Sequence, residues 1–347
     1  MPAVPPDDSR VPGPGEGTEG SGSDLARFAE DSLTPGMAVG QSQLYLTAVM
    51  TDGKSRSRRL SLGAWLAIGW LGVIVALAVL AQLGLLPLKD PNQSFTSCAR
   101  LGPFAKEGSA SGHLLGCDSN GRDMMSRLIF GAWSSILVST GAVALGFVVG
   151  GVLGMLAGYF GGKVDTVLTS VFNVFLSIPG VILALALVAF LQGAADNTGG
   201  QHGIDPKFIL VLALGIVSIP LLGRITRASA LTWSQREFVT AARAQGAKPL
   251  RIMLREVLPN VLPAMLSIAL LGIAVAMVAE GTLSILGVGV KPPTPSWGNI
   301  IGSERSSLAD SPHMIFEPAL CIFFTVLSLN FLGDVVRARL DVRESSV

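Results

Sequence analysis

Few residues in this chain are placed to do chemistry. Its three histidines, His113, His202 and His313, stand singly in segments between apolar runs, where a solvated loop side chain is the expected state. No Ser, His or Cys falls in a GxSxG, HExxH or CxxC pattern, so no spacing sets a nucleophile beside a base or ligands around a metal. Three cysteines exclude a four-thiolate metal site and a disulfide-dense secreted scaffold. YFGGKVD (159–165) comes nearest to a phosphate-binding loop, but Ala157 stands where the upstream Gly is required and no Ser or Thr follows Lys163. Glu280 is the one acid deep within an apolar run. An ionisable group there is costly and faces protein or water, and a locally paired or neutral carboxyl is the expectation. A proton relay needs titratable partners in other apolar runs, and none is found. No catalytic residue, metal site or cofactor site is expected in this chain.

The elements that position these residues belong to a bilayer. Half of the 347 residues are hydrophobic and 14% are charged, against about 25% in ordinary soluble domains. Tyr and Trp together number seven, so the apolar content is mainly aliphatic. Such a chain cannot cover its own surface with polar groups. The net charge of +1 gives no basic field for nucleic acid, and no nucleic-acid partner is expected. Charge-free or nearly charge-free runs mark the spans. A bilayer core needs about 20 helical residues, and six helices are expected, at about 62–86, 127–159, 165–192, 207–229, 258–290 and 314–335. The fold class is therefore all-α and polytopic, a membrane domain over 54–347 preceded by a tail.

The tail, 1–53, is rich in Pro, Gly, Ser and acids and is expected to be a disordered cytoplasmic arm. Met50 is an alternative start, and the tail lacks the apolar core of a signal peptide. Basic residues orient the rest. Lys54, Arg56, Arg58 and Arg59 precede the first span, seven cations fall from Arg224 to Arg255, and Arg337, Arg339 and Arg343 follow the sixth. With six spans all three groups share one side, which the positive-inside rule makes the cytoplasm, with both termini inside a plasma membrane.

Two further patterns stand out. Gly146, Gly150, Gly154 and Gly158 recur every fourth residue, one stripe on which a neighbouring helix can approach closely. Pro179 and Pro220 remove backbone donors inside the third and fourth spans and are expected to kink them. Cys98 and Cys117 lie in the loop between the first two spans, on the oxidising side; they form a disulfide or remain two free thiols, while Cys321 is expected to be a small apolar packer.

The informative segment lies on the cytoplasmic side, at 230–257. A short helix through Glu237, Thr240, Ala241, Ala242 and Arg243 ends at Gly246, a candidate left-handed cap, and Pro249 suits the first turn of a second helix. Leu250, Met253, Leu254 and Val257 then recur at helical spacing, with Arg251 and Arg255 beside them, before Leu258 and Pro259 open the fifth span. Small residues with a basic rim fit docking to another protein; the bland alternative is an amphipathic connector on the lipid headgroups.

This segment resembles the EAA loop of bacterial ABC-importer permeases, Glu-Ala-Ala, three residues, Gly, nine residues, Ile, one residue, Leu-Pro. Ala241, Ala242, Gly246, Leu258 and Pro259 match; Thr240 replaces the Glu and Glu256 occupies the Ile position. HLLGCDSNGRDMMSRLIFGA (113–132) is similar to the LGTDxxGRD block of the oligopeptide/dipeptide permease family's C-type subunit, with Cys117 replacing Thr. AGYFGGKVD, LSIPGVILALALVAFL, ILGVGVKPPTPSWGNII and NFLGDVVRARLD also look like that family's segments, in the right order over roughly 60–343. The resemblance implies a permease without bond chemistry of its own. Its partners would be a B-type permease subunit, two cytoplasmic ATPase subunits or domains that hold ATP and Mg, and an extracytoplasmic substrate-binding protein. Di- or oligopeptides are the implied cargo, with nickel or glutathione permeases as close relatives. An ATP-independent secondary transporter or channel is the reading from another class, and it would need a coupling-ion site or inverted repeat that the sequence lacks.

Overall fold

A computed structural model of the protein describes residues 61–104, 112–197 and 205–341; the expected tail at 1–53 and His202 lie outside them. The helices are α1 (Leu62–Gln82), α2 (Met124–Leu145), α3 (Gly151–Phe160), α4 (Gly162–Ser177), α5 (Gly180–Asn197), α6 (Pro206–Ser234), α7 (Glu237–Ala244), α8 (Pro249–Ile252), α9 (Leu258–Ile285), α10 (Trp297–Glu304) and α11 (His313–Asp341). Single π turns, Gly146–Gly150 and Met253–Val257, join α2 to α3 and α8 to α9. The described residues are all-α, with no strand among them.

Among the described residues, five helical runs are long and apolar enough to cross a bilayer: Leu62–Gln82, Met124–Phe160, Pro206–Ser234, Pro249–Ile285 and His313–Arg339. The third expected span is broken. Its halves, α4 and α5, meet at 92° across Ile178–Pro179. Pro179 offers no N–H and disfavours helical geometry in the residue before it, and Ile178 is extended, at φ −89° and ψ 130°. Pro220, by contrast, lies inside the continuous α6. Side-chain caps start several helices: Ser61 accepts from the Ala64 amide, Asp123 from that of Ser126, and Asp205 from that of Lys207, just ahead of Pro206. The runs Met124–Phe160 and Pro249–Ile285 each have 37 residues, roughly 55 Å of helix, which exceeds a hydrocarbon core of about 30 Å. Both therefore extend beyond the membrane.

Close backbone packing holds the bundle together. The four glycines at 146, 150, 154 and 158 all face α6. A Cβ built on Gly146 would stand 2.5 Å from Ser218 Oγ, and one on Gly158 would stand 2.6 Å from Arg227 O and 2.7 Å from Ala230 Cβ. On Gly150 and Gly154 it would strike the Ile219 and Gly223 carbonyl oxygens. Gly223 answers from α6, where a Cβ would meet Phe172 of α4 at 2.6 Å. Lipid tails are as apolar as leucine, so such close approach and its dispersion contacts, rather than expulsion of water, hold these helices together. Outward faces carry exposed aliphatic side chains such as Val167, Val174 and Ile182, as a bilayer solvent permits.

Gly154→Leu is expected to destabilise the subunit by about 1–3 kcal/mol through overpacking, whereas Gly69→Leu, at a position with open space around it, should be near neutral. Thermal unfolding of the two variants in matched detergent checks the contrast, and equal midpoints would refute it.

Candidate functional site

The segment 230–257 folds as a helix, a reversing cap and a second helix. In α7, Glu237 lies in the first turn and Arg243 in the last, the charge order that suits the helix dipole. Gly246 adopts φ +77°. Its N–H donates to Arg243 O at 3.0 Å, and the next N–H, of Ala247, reaches back to Ala242 O at 3.1 Å. These two bonds make a Schellman motif. A Cβ on Gly246 would meet nothing within 4 Å, so the glycine is required by backbone angle and not by crowding. Pro249 begins α8, where its missing N–H costs nothing.

The two faces of α7 differ. Val239 is fully buried, and Ala242, Ala247 and Leu258 pack with it against Tyr159, Ile252, Met253 and Val257. Glu237, Phe238, Thr240, Ala241, Ala244 and Gly246 are exposed, as is Pro259 at the start of α9. The motif residues thus divide: Ala242 and Leu258 hold the segment to the subunit's own body, while Thr240, Ala241 and Gly246 present a free surface of small side chains. The apolar stripe expected in the second helix divides likewise, with Met253 and Val257 buried and Leu250 and Leu254 61% and 50% exposed.

The surface is mounted firmly. Arg243 lies over the Tyr159 ring at 5.3 Å, and Arg236 over that of Trp233 at 5.4 Å. Beneath α7, Arg227 of α6 makes a forked ion pair with Asp165 of α4, with Nη2 2.6 Å from Oδ2 and Nε on Oδ1. Thr169 donates to the same Oδ1 at 3.1 Å. YFGGKVD is thus a turn, with Gly161 and Gly162 at positive φ, that delivers Asp165 to Arg227. The pairing was not anticipated. Its signal in sequence is that Asp165 is the single acid between Arg127 and Asp196.

The opposite end is closed by Cys98 and Cys117, which are bonded, with Cα atoms 5.8 Å apart. Both are buried beside His113, whose ring nitrogen lies within 4.8 Å of their sulfurs. Sulfurs joined to each other leave no thiolate for a metal. The expectation of a solvated His113 is overturned. The side chain is buried, its Nδ1 is 2.8 Å from Asp123 Oδ1, and its Nε2 is 2.9 Å from Lys89 Nζ. A lysine ammonium can only donate, so Nε2 accepts and Nδ1 carries the hydrogen given to Asp123. Asp123 also accepts from the Ser126 amide and hydroxyl at 2.8 and 2.7 Å. Burial is affordable because every polar atom of the group has a partner. His313 opens α11 and is partly buried, so it too is no free loop side chain.

Glu280 is fully buried near the end of α9 and accepts from three serine hydroxyls, Ser135 at 3.2 Å and Ser284 and Ser296 at 2.9 Å each. A locally paired carboxyl is what the sequence led us to expect; its partners on α2 and α10 were not legible there.

The described residues form an all-α bundle with several helices long and apolar enough to cross a membrane, and comparison with known proteins gives the family. Residues 150–346 match the model for the binding-protein-dependent transport system inner membrane component. A glutathione transport system permease protein of Pectobacterium atrosepticum is 35% identical over 69% of this chain and 76% of its own length. A di/tripeptide permease protein of Pseudomonas aeruginosa is 36% identical over 73% and 79%, and a dipeptide permease protein of Haemophilus influenzae 32% over 80% and 90%. Among solved structures, the inward-facing methionine ABC transporter shares the fold, with a TM-score of 0.51, 24% identity, and coverage of 62% of this chain and 97% of that one. The chain belongs to the family of binding-protein-dependent transport system inner membrane components.

Closing the 19-residue separation between Cys98 and Cys117 is worth about 3 kcal/mol in the chain-entropy model. Non-reducing peptide mapping should therefore recover 98 and 117 as one linked pair, and Cys117→Ser should lower the unfolding midpoint. Two freely alkylated thiols in untreated protein would refute the bond.

Proposed function

We infer that this chain is the C-type half of a heterodimeric ABC-importer channel that moves di- or oligopeptides into the cell. A B-type permease subunit completes the pathway, two cytoplasmic ATPase subunits or domains bind ATP and Mg, and an extracytoplasmic binding protein delivers cargo. The observation that carries this reading is the divided α7. Its buried face is fixed to the long helical runs, and its exposed face offers Thr240, Ala241 and Ala244, small enough to enter a groove on another protein. Force applied to such a helix reaches the transmembrane body without being absorbed by a loose loop. Bond chemistry on nucleotide would belong to the partner chains, and this subunit would supply pathway and lever.

Peptide cargo is supported by the dipeptide and di/tripeptide relatives. Glutathione is the second reading, favoured by the relative of Pectobacterium atrosepticum. It is itself a small peptide-like solute, and specificity would rest largely on the binding protein. For orientation, Arg236, Arg243, Lys248, Arg251 and Arg255 crowd the 230–257 end, which supports a cytoplasmic location for that end and for both termini. A thiol-reactive, membrane-impermeant label should then modify Leu286→Cys, at an exposed position, from outside intact cells and leave Lys248→Cys untouched. The reverse pattern would overturn the orientation and the docking assignment together.

The docking surface is tested in proteoliposomes holding the full complex, with uptake and ATP hydrolysis read in parallel. Gly246→Val forces a β-branched residue into φ +77°, a strain on the order of 1–3 kcal/mol, and should weaken ATPase association. Ala241→Glu should do the same while leaving subunit stability unchanged. Ala242→Glu should also lower stability, because that side chain packs inward. Thr240→Glu, on the exposed face, should retain coupling. Normal coupled uptake by Gly246→Val and Ala241→Glu combined would show that the segment is only a membrane-surface connector.

A further inference from the structure

The Glu280 carboxylate joins three elements that the chain brings together from far apart. Ser284 lies on its own helix, Ser135 on α2, and Ser296 is the N-cap residue of α10, the short helix beyond the end of α9. Each serine is then used a second time or packed against backbone. Ser135 Oγ accepts the Trp297 N–H at 3.1 Å, and Ser296 Oγ accepts the Asn299 N–H at 3.1 Å, while Asn299 returns a bond to the Ser296 N–H at 3.1 Å. Trp297 Nε1 donates to Leu128 O at 2.9 Å. Around this centre the backbones touch: a Cβ on Gly298 would stand 2.6 Å from Gly281 Cα, and one on Gly302 would stand 3.0 Å from Ser284 O.

The two carboxyl oxygens of Glu280 accept from all three serine hydroxyls. With Glu280 at the centre all three hydroxyl hydrogens point inward, which frees the serine oxygens to receive the backbone N–H groups of α10. The bonds are directed one way through the network and polarise one another. An amide at 280 would put a donor against one hydroxyl and leave a buried hydrogen without an acceptor. The carboxylate also lies 22 residues along α9 from Leu258, about 33 Å of helix, with no proline after Pro263. The other end of that helix leads straight into the 230–257 segment.

We propose that Glu280 is a positioning residue of the transport cycle, the joint that makes α9, α2 and α10 move as one body so that displacement at the 230–257 segment is carried to the far end of the pathway. The proposal rests on the importer reading above. α10 and its capping box form the moving piece, Glu280 the pin, and the tight Gly281–Gly298 contact keeps the pin from rocking. Without the carboxylate, α7 would still dock and ATP would still be hydrolysed, but α10 would lag behind α9.

The test uses the reconstituted full complex with hydrogen exchange at Trp297–Ser303 as one readout and solute imported per ATP hydrolysed as the other. Glu280→Gln, which preserves volume, should speed exchange in α10 by about twofold to tenfold, the range for one lost hydrogen bond, and leave α7 exchange and ATPase association unchanged. It should lower the solute imported per ATP. Ser296→Ala, which keeps the carboxylate and removes one bond, should do both to a smaller degree. Wild-type exchange and stoichiometry in Glu280→Gln would overturn the proposal, as would faster exchange with unchanged stoichiometry, since the carboxylate would then be a packing group alone. Should Glu280→Gln fail to assemble, Ser296→Ala and Ser135→Ala decide, and wild-type values for both readouts in both variants would overturn it. The wild-type complex separates the two readings: if it imports no peptide on ATP, the importer reading falls, and α10 exchange in Glu280→Gln still judges whether the joint exists.

Discussion

Inside a bilayer no water is available to satisfy a polar group that folding leaves alone, and each polar side chain or freed carbonyl must find its partner within the protein. The shape of this subunit follows from that constraint at several places. Glu280 is tolerated because three hydroxyls surround it. Serines along the spans return their hydrogens to carbonyls of the preceding turn, as Ser139 does to Ser135 O at 2.7 Å and Ser267 to Pro263 O at 3.1 Å. Pro263 itself lies inside the continuous α9, where its missing N–H removes the donor that would meet the Pro259 carbonyl. At Ile178–Pro179 the span breaks instead.

The same constraint removes the hydrophobic effect as a force between helices, and glycine takes its place. The glycine-bearing helix and α6 run together in parallel, with backbone of α6 close to Gly150, Gly154 and Gly158 in turn and the Ser218 side chain against Gly146. A π turn falls within the stripe, at Gly146–Gly150. Extra helical length there keeps the later glycines on the α6 side as the helix lengthens toward the 230–257 end. This interface leads toward the 230–257 segment, and Tyr159, at the last turn of α3, packs against that segment.

Much of this was legible in the residues. Alternation between charge-free runs and basic clusters marks the spans, and the Gly246 and Pro249 pair marks a helix stop and a helix start, because each residue has a backbone preference that acts without tertiary context. Side-chain partners were not legible. Ala241 and Ala242 are identical in sequence terms, yet one is exposed and the other is half-buried against the cluster that holds Val239 and Val257. His113 reads as a loop histidine until the chain folds back to place Lys89 and Asp123 on its two nitrogens. The bend at Pro179 could be anticipated from the missing donor, but its 92° size depends on what α4 and α5 each pack against.

The Asp165–Arg227 pair shows how placement gives one residue type two different tasks. Arg227 belongs to a strongly basic end of the molecule, where the neighbouring cations face outward and serve topology. Its own side chain turns inward to the first turn of α4, and both partners are only partly exposed, at 28% and 21%. A forked guanidinium–carboxylate contact fixes angle as well as distance, so it locks the start of the broken span to the helix that leads into α7. The other half of that span, past the Pro179 bend, has no such tie to the 230–257 end. One half of the broken helix is thus attached to the 230–257 side and the other lies against α6 near its start, where Ile209, Leu210, Ala213 and Leu214 pack with Ala184 and Val188. Both halves of the bent span are therefore tied to α6, one by an ion pair and the other by apolar packing.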